Sequence, residues 1–174
     1  MWKHLKHPNI VPLLGVTTDP FQLISEWVPS GDLPSYIGKD TGADRLGLVG
    51  APAVVLLCAY SYHKLSDVAE GLCYLHSRNM VHGDLKGVRG LPPSHFTIML
   101  TPGQPNILVD DSGHARITDF GQAKVTQSLD TIRSASRHGN TPRWAAPEIL
   151  DEQPPSREAD VFSFAMVMIE VCRG

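Results

Sequence analysis

Cysteine is scarce in this 174-residue chain: Cys58, Cys73 and Cys172 are odd in number and far apart. That excludes a disulfide framework and points to a reducing compartment, with the cytoplasm as the expected location. Long apolar runs are also missing. The longest, Ala51–Tyr60, has ten residues, whereas a membrane-spanning helix needs roughly 20. The start of the chain shows no succession of basic, apolar and small residues, so no secretory signal is indicated. Net charge is only −3, which gives no reason to expect nucleic acid or an acidic membrane as partner. His4 and His7 lie close together without a Cys or acidic cluster, so a zinc site is not indicated. No internal repeat is present.

What remains describes an ordinary globular chain. Apolar residues make up 42% and charged residues 19%, enough to build one compact core. Ile10–Gly15 and Phe21–Val28 are apolar runs around Thr17-Thr18-Asp19-Pro20, which predicts two antiparallel strands and a turn. Pro29-Ser30-Gly31-Asp32 breaks the chain before a short helix through Leu33 and Tyr36. Leu65, Val68, Ala69, Leu72, Cys73 and Leu75 follow helical spacing and predict a helix over Leu65–Ser77. Ile107–Val109 and Ala115–Ile117 flank Asp110-Asp111-Ser112-Gly113 and predict a second strand pair. The polar stretch Thr126–Thr141 reads as a mobile loop. Arg157–Arg173 is helical and apolar on nearly all sides, as in a helix at the centre of a domain. The chain stops one residue later, so truncation is expected. The order of elements gives an α+β fold.

Three short motifs occur in order: Val81-His82-Gly83-Asp84-Leu85-Lys86-Gly87, then Asp119-Phe120-Gly121, then Ala146-Pro147-Glu148. Each alone is a weak signal; their order is specific. Together they resemble the protein kinase family, and the wider text (Trp2-Lys3-His4-Leu5-Lys6-His7-Pro8-Asn9-Ile10-Val11) is similar to its tyrosine-kinase-like group. The resemblance implies a protein-kinase-like fold: a mostly helical large lobe (29–174) with a remnant β-hairpin and hinge of the small lobe (1–28). It implies transfer of the ATP γ-phosphate to a protein substrate, with ATP and Mg²⁺ as cofactors. Asp84 would accept the substrate hydroxyl proton and Lys86 would neutralise charge on the moving phosphoryl group. Asn106 and Asp119 would hold Mg²⁺ through hard oxygen donors. Ser25 would be the gatekeeper, Glu26 to Val28 the hinge facing adenine, Leu108 the floor of that pocket, and Asp32 a further nucleotide contact. Plain core packing is the lesser alternative for Trp27 and Leu108. Thr141, Ala146, Pro147, Glu148 and Asp160 would dock substrate or support the lobe. Lys86 and Thr141 match the Ser/Thr-specific pattern.

The departures are as informative. Gly83 replaces an Arg that usually grips a phosphorylated loop, so control by loop phosphorylation is not expected. Asp84 and Asn106 are 22 positions apart, where the family has about five. Removing the 17 residues Val88–Gln104 restores that spacing. Removing Val49–Lys64 likewise joins Leu48 to the helix at Leu65. Both stretches begin with Val and end in Lys or Gln, which suits in-frame retained introns; genuine loop insertions are the rival reading. Closing the second loop costs only about 2.5 kcal/mol, but displacement of Asn106 from Asp84 is expected to impair catalysis. Phe96–Leu100 and Ala51–Tyr60 read as aggregation-prone.

The Gly-rich phosphate loop and strand Lys of the family would precede residue 1. Activity of the chain as written is therefore expected to be very weak or absent. A pseudokinase-like binding module and a defective gene-model fragment are the competing readings. Oligomeric state is open.

Overall fold

Pro12 decides where the first strand begins. It has no N–H and biases Val11 toward extended backbone. Ile10 and Val11 therefore do not open the strand as the sequence predicts; they anchor it to the core instead, 2% and 0% exposed. Val11 N–H donates to Ile117 O at 2.9 Å. In the computed structural model, which describes residues 2–40, 51–87, 105–120, 124–125 and 142–173, strand β1 runs Leu13–Thr18 and pairs antiparallel with β2, Phe21–Ser25. Val16 faces Leu23 and Thr18 faces Phe21, with a register shift between Leu13 and Gly15. The turn contains a cis Asp19–Pro20 peptide. The apolar side chains of this hairpin are open to solvent: Leu14, Val16, Phe21, Leu23 and Ile24 are all exposed.

Asp32 starts helix α1, Leu33–Asp40, by accepting Ser35 N–H at 2.8 Å. Such a cap satisfies one of the first four orphan amides of a helix. Leu33 and Ile37, one turn apart, are buried.

Helix α2 spans Ala51–Ser77. The spacing of Leu65–Ser77 predicts only its second half, because Ala51–Tyr60 is apolar without helical periodicity. Val68, Leu72 and Leu75 form its buried stripe. Gly71 lets it approach Asn9 and Ile117 closely: a Cβ there would lie 3.0 Å from both Asn9 O and Ile117 Cδ1. Asn79 ends the helix in the left-handed region at φ 55°, a conformation asparagine tolerates. The first half fits less well. Ser61 is fully buried and its Oγ has no hydrogen-bond partner, and Lys64 is 7% exposed. An orphaned buried hydroxyl costs roughly 1–3 kcal/mol.

Two short strand pairs complete the frame. β3 (Met80–Val81) pairs with β6 (Lys124–Val125), and β4 (Ile107–Val109) pairs with β5 (Ala115–Ile117). Asp110 closes the β4–β5 turn by accepting the amides of Ser112 and His114. Helix α3 is the single turn Pro147–Leu150, and α4 is Arg157–Arg173. Ser156 caps α4 by accepting Ala159 N–H at 3.0 Å. Val167 and Val171 of α4 join the core with Val68, Leu75, Ile107 and Ile117. Its opposite face, with Val161 and Ile169, is exposed. No helix among the described residues is long and apolar enough to cross a membrane. Thr126–Thr141 and the whole of Val88–Gln104, Phe96–Leu100 included, lie outside the described residues.

Candidate active site

The segment after β3 is built on a buried histidine. His82 is 0% exposed. Its Nε2 lies 3.0 Å from Thr118 O, and its Nδ1 is 3.3 Å from the Asp84 amide. A carbonyl only accepts and an amide only donates, so the two contacts assign the neutral ring with its proton on Nε2. Asp160, 1% exposed on α4, accepts His82 N–H at 2.8 Å and Gly83 N–H at 2.9 Å. Gly83 takes φ 81°, a conformation that strains any residue with a Cβ.

These contacts present Asp84 and Lys86 together. Lys86 Nζ lies 2.6 Å from Asp84 Oδ2, with side chains 6% and 10% exposed. Their closeness offsets the desolvation of both charges. Asn106 joins them. Lys86 N–H donates to Asn106 Oδ1 at 2.8 Å, and Asn106 Nδ2 donates to Asp84 O. The displacement expected from Val88–Gln104 is therefore not found: Asn106 meets the Asp84 loop across 22 positions of sequence. The bonds at both ends are local to β4 and the loop, so the intervening chain need not follow them.

Asp119 is exposed and sits at φ 59°. Phe120 behind it is buried between two rings, with centroids 5.0 Å from Trp2 and 5.4 Å from His82. Trp2 is held by its own Nε1–H bond to Val11 O at 2.7 Å. An exposed carboxylate thus follows a strand and precedes an anchored aromatic.

The expected hinge residues have mixed positions. Val28 is buried. The Glu26 carboxylate pairs with Arg116 at 3.0 Å, and its amide donates to Pro12 O. Arg116 also pairs with Asp110 at 2.8 Å. Burial pushes the Asp110 carboxyl up, but hydrogen bonds from His114 N–H, the Arg116 side chain and Ser112 N–H, with the Arg116 charge, outweigh it and hold it below the ordinary range. Leu108 is half-buried on β4 and bridges to Asp32, whose side chain is engaged in capping α1. Trp27 is 84% exposed, which overturns its core-packing reading. A cavity of about 230 Å³ lies between Glu26–Pro29 and the Asp110–Ser112 turn.

On the far side of the loop, Ala146 is buried, Pro147 occupies the first turn of α3, and Glu148 is half-exposed. Trp144, just before, donates from Nε1 to Glu170 at 3.1 Å and accepts at its carbonyl from Ser163 Oγ at 2.8 Å. Thr141 lies outside the described residues.

A protein-family model described as protein tyrosine and serine/threonine kinase matches residues 1–89 and 103–174. This chain belongs to the protein kinase family. It is 33% identical over 98% of its length to a Dictyostelium discoideum protein named as a probable serine/threonine-protein kinase, covering 11% of that protein. It is 32% identical to mitogen-activated protein kinase kinase kinase 3 of Arabidopsis thaliana, with 99% of this chain and 22% of that one covered. Serine/threonine-protein kinase CTR1 of Arabidopsis thaliana gives 32% over 97% of this chain and 18% of its own. The chain spans at most about a quarter of these three relatives.

Within this kinase chain, sequence reasoning brought out Asp84, Lys86, Asn106, Asp119 and Asp160 but gave no role to Trp2, His76 or His82. His82 stood inside a quoted motif, and its full burial was the missing piece. Trp2 meets Phe120 and His76 meets Asp160, each more than 80 positions away, which spacing along the chain does not reveal. Among the described residues no three His, Cys, Asp or Glu side chains gather as a metal cage. A Mg²⁺ ion that also binds phosphates takes only one or two protein oxygens. The amide oxygen of buried Asn106 and the exposed carboxylate of Asp119 are donors of that kind.

Proposed function

We propose that this chain is the catalytic segment of a serine/threonine protein kinase of the tyrosine-kinase-like group. It passes the γ-phosphate of ATP to a hydroxyl of a protein substrate. The observation that carries the reading is the joining of Asp84, Lys86 and Asn106 by hydrogen bonds despite their separation in sequence. Phosphoryl transfer asks mainly for positioning and charge neutralisation, and these three groups supply both. Asp84 orients the substrate hydroxyl and takes its proton. Lys86, 2.6 Å from that carboxylate, brings positive charge to the same point. Asn106 and Asp119 hold Mg²⁺, which when bound neutralises charge on the phosphates. Phe120, packed against Trp2 and His82, limits the travel of Asp119. Glu26 to Val28 offer backbone groups to adenine, Leu108 underlies it and Asp32 meets the nucleotide beyond.

In this reading residues 1–28 belong to the small lobe and hinge, and 29–174 to the large lobe. Thr141, Ala146, Pro147 and Glu148 border the substrate, and the kinase works in the cytoplasm. The 174 residues hold no Gly-rich phosphate loop, so on their own they transfer phosphate slowly. Radiolabelled phosphate incorporation into a generic protein substrate tests this. Slow labelling of Ser and Thr that disappears in Asp84→Asn supports it; labelling that ignores the substitution defeats it.

Val49–Lys64 and Val88–Gln104 are read as additions to the family pattern. Two observations support this. The family match skips residues 90–102. In α2, Ser61 is buried without a partner and Lys64 is buried as well; excising Val49–Lys64 would bring Leu48 to the position before Leu65. Spliced transcripts decide the origin. Reads that all run through both stretches without a junction would refute retained introns.

A further inference from the structure

The cavity of about 230 Å³ has two walls that are tied together by the protein itself. One wall is Glu26–Pro29, the segment that leaves β2; the other is the Asp110–Ser112 turn between β4 and β5. Arg116 spans them. Its Nη1 donates to Glu26 Oε2 at 3.0 Å, and its Nε and Nη2 reach Asp110 Oδ2 at 2.9 and 2.8 Å. A backbone bond adds to the tie: Val109 N–H donates to Gly31 O at 2.8 Å. Walls held in place this way leave less ordering to be done when a ligand arrives.

The lining sets the chemistry of that ligand. Glu26, Asp110 and Asp111 face Arg116, three carboxylates to one guanidinium, for a net charge of −2. Both Asp110 oxygens are engaged: Oδ1 accepts Ser112 and His114 N–H, and Oδ2 accepts Arg116. Asp111 is exposed, and its side chain has no hydrogen bond or ion pair among the described residues. Trp27 completes the lining and is 84% exposed. A large aromatic ring left in water beside an unpaired carboxylate suits a planar cation, which stacks on the ring and pairs with the acid. The net charge repels anions. A metal ion would need several uncommitted oxygens, and Asp110 has none. The volume is below the roughly 300–1,000 Å³ of small-molecule sites, so it suits a single side chain.

We propose that this cavity receives an arginine side chain from a basic segment of a partner protein. The guanidinium stacks on Trp27 and donates to Asp111 and to Oε1 of Glu26, whose Oε2 is held by Arg116. Lysine fits less well, because its compact ammonium is strongly hydrated and offers no plane to stack. None of Asp32, Leu108, Asp84, Asn106 and Asp119 lines the cavity. The site is therefore separate from the groups proposed to meet ATP and move its phosphate, and binding there is measured without any phosphate transfer.

The test titrates the full chain with a capped glycine peptide carrying two arginines. Tryptophan emission reports binding, since Trp27 is exposed while Trp144 is buried and Trp2 half-buried. A saturable change is expected, weakened about tenfold when neutral citrulline replaces arginine and about threefold when lysine does. Asp111→Asn should weaken binding about fivefold, and Trp27→Ala, followed by calorimetry, about tenfold. Both side chains are exposed, so neither substitution disturbs the core. Glu70→Gln removes an exposed carboxylate from α2 and should leave binding unchanged. No saturable binding, equal binding of the citrulline or lysine peptide, or the same loss in Glu70→Gln as in Asp111→Asn overturns the proposal. So does displacement of the peptide by adenosine, which would make the cavity part of the nucleotide site.

Discussion

The catalytic loop and the β1–β2 hairpin treat their side chains in opposite ways. In the loop, His82, Leu85, Lys86 and Asn106 are buried, and polar atoms are joined to Asn106 just before β4, Thr118 just after β5 and Asp160 on α4. In the hairpin, Leu14, Val16, Phe21 and Ile24 are exposed, and the strands hold mainly to each other. A two-stranded hairpin is marginal in water by itself, whereas a buried polar network with its partners in place specifies one geometry. The groups proposed to react thus draw their order from the helical core, and substitutions in the two regions should differ sharply in effect.

The largest effect on stability is expected at the centre of the network. Asp160→Ala strips the His82 and Gly83 amides of their acceptor together and should destabilise the chain by roughly 3 kcal/mol or more. Urea denaturation measures it; a loss no larger than that of a hairpin substitution would erase the contrast. Gly83→Ala comes next. It forces a Cβ into φ 81°, with an expected loss of about 1–2 kcal/mol in the same experiment. An unchanged midpoint would mean that the loop relaxes freely.

Asp110→Asn sharpens the comparison at the border of the two regions, since Arg116 links Asp110 to Glu26 at the end of the hairpin. The carboxyl is held below its ordinary value of 3.8. A lowered folded-state value favours folding above the ordinary value, and the gain fades as pH falls below 3.8 toward the folded one. Asp110→Asn should therefore lower the urea midpoint slightly near neutrality and leave it unaltered in acid below that range. A deficit equal at both pH values would remove the charge from the explanation. Smallest of all, Trp27→Ala should shift stability by less than about 0.5 kcal/mol, because that ring is 84% exposed.

How far the sequence reveals this arrangement depends on the range of the contact involved. Helix α4, the turn at Asp110 and the start of α1 after Pro29–Asp32 are local patterns and were readable; the capping role of Asp32 was not read. The motif residues were readable because their chemistry restricts residue type. The long front of α2 was not, since an apolar run without period fits a loop insertion as well as a helix. Nor was the closing of Asn106 onto the Asp84 loop: spacing alone suggests displacement, and the bonds of the Asn106 side chain to Lys86 N–H and Asp84 O hold it in place. The core-packing alternative for Trp27 rested on hydrophobicity alone and falls to its exposure, and His76 was missed because its partner lies 84 positions away.

The central claim is that Asp84, Lys86 and Asn106 form a working phosphoryl-transfer site. Incorporation of radiolabelled γ-phosphate into a protein substrate, measured side by side for the chain and for Asp84→Asn, tests it most directly. Slow labelling confined to Ser and Thr, cut by roughly 10²–10⁴-fold in Asp84→Asn, is the predicted result. Labelling that survives in Asp84→Asn, or none above a chain-free control, would contradict it.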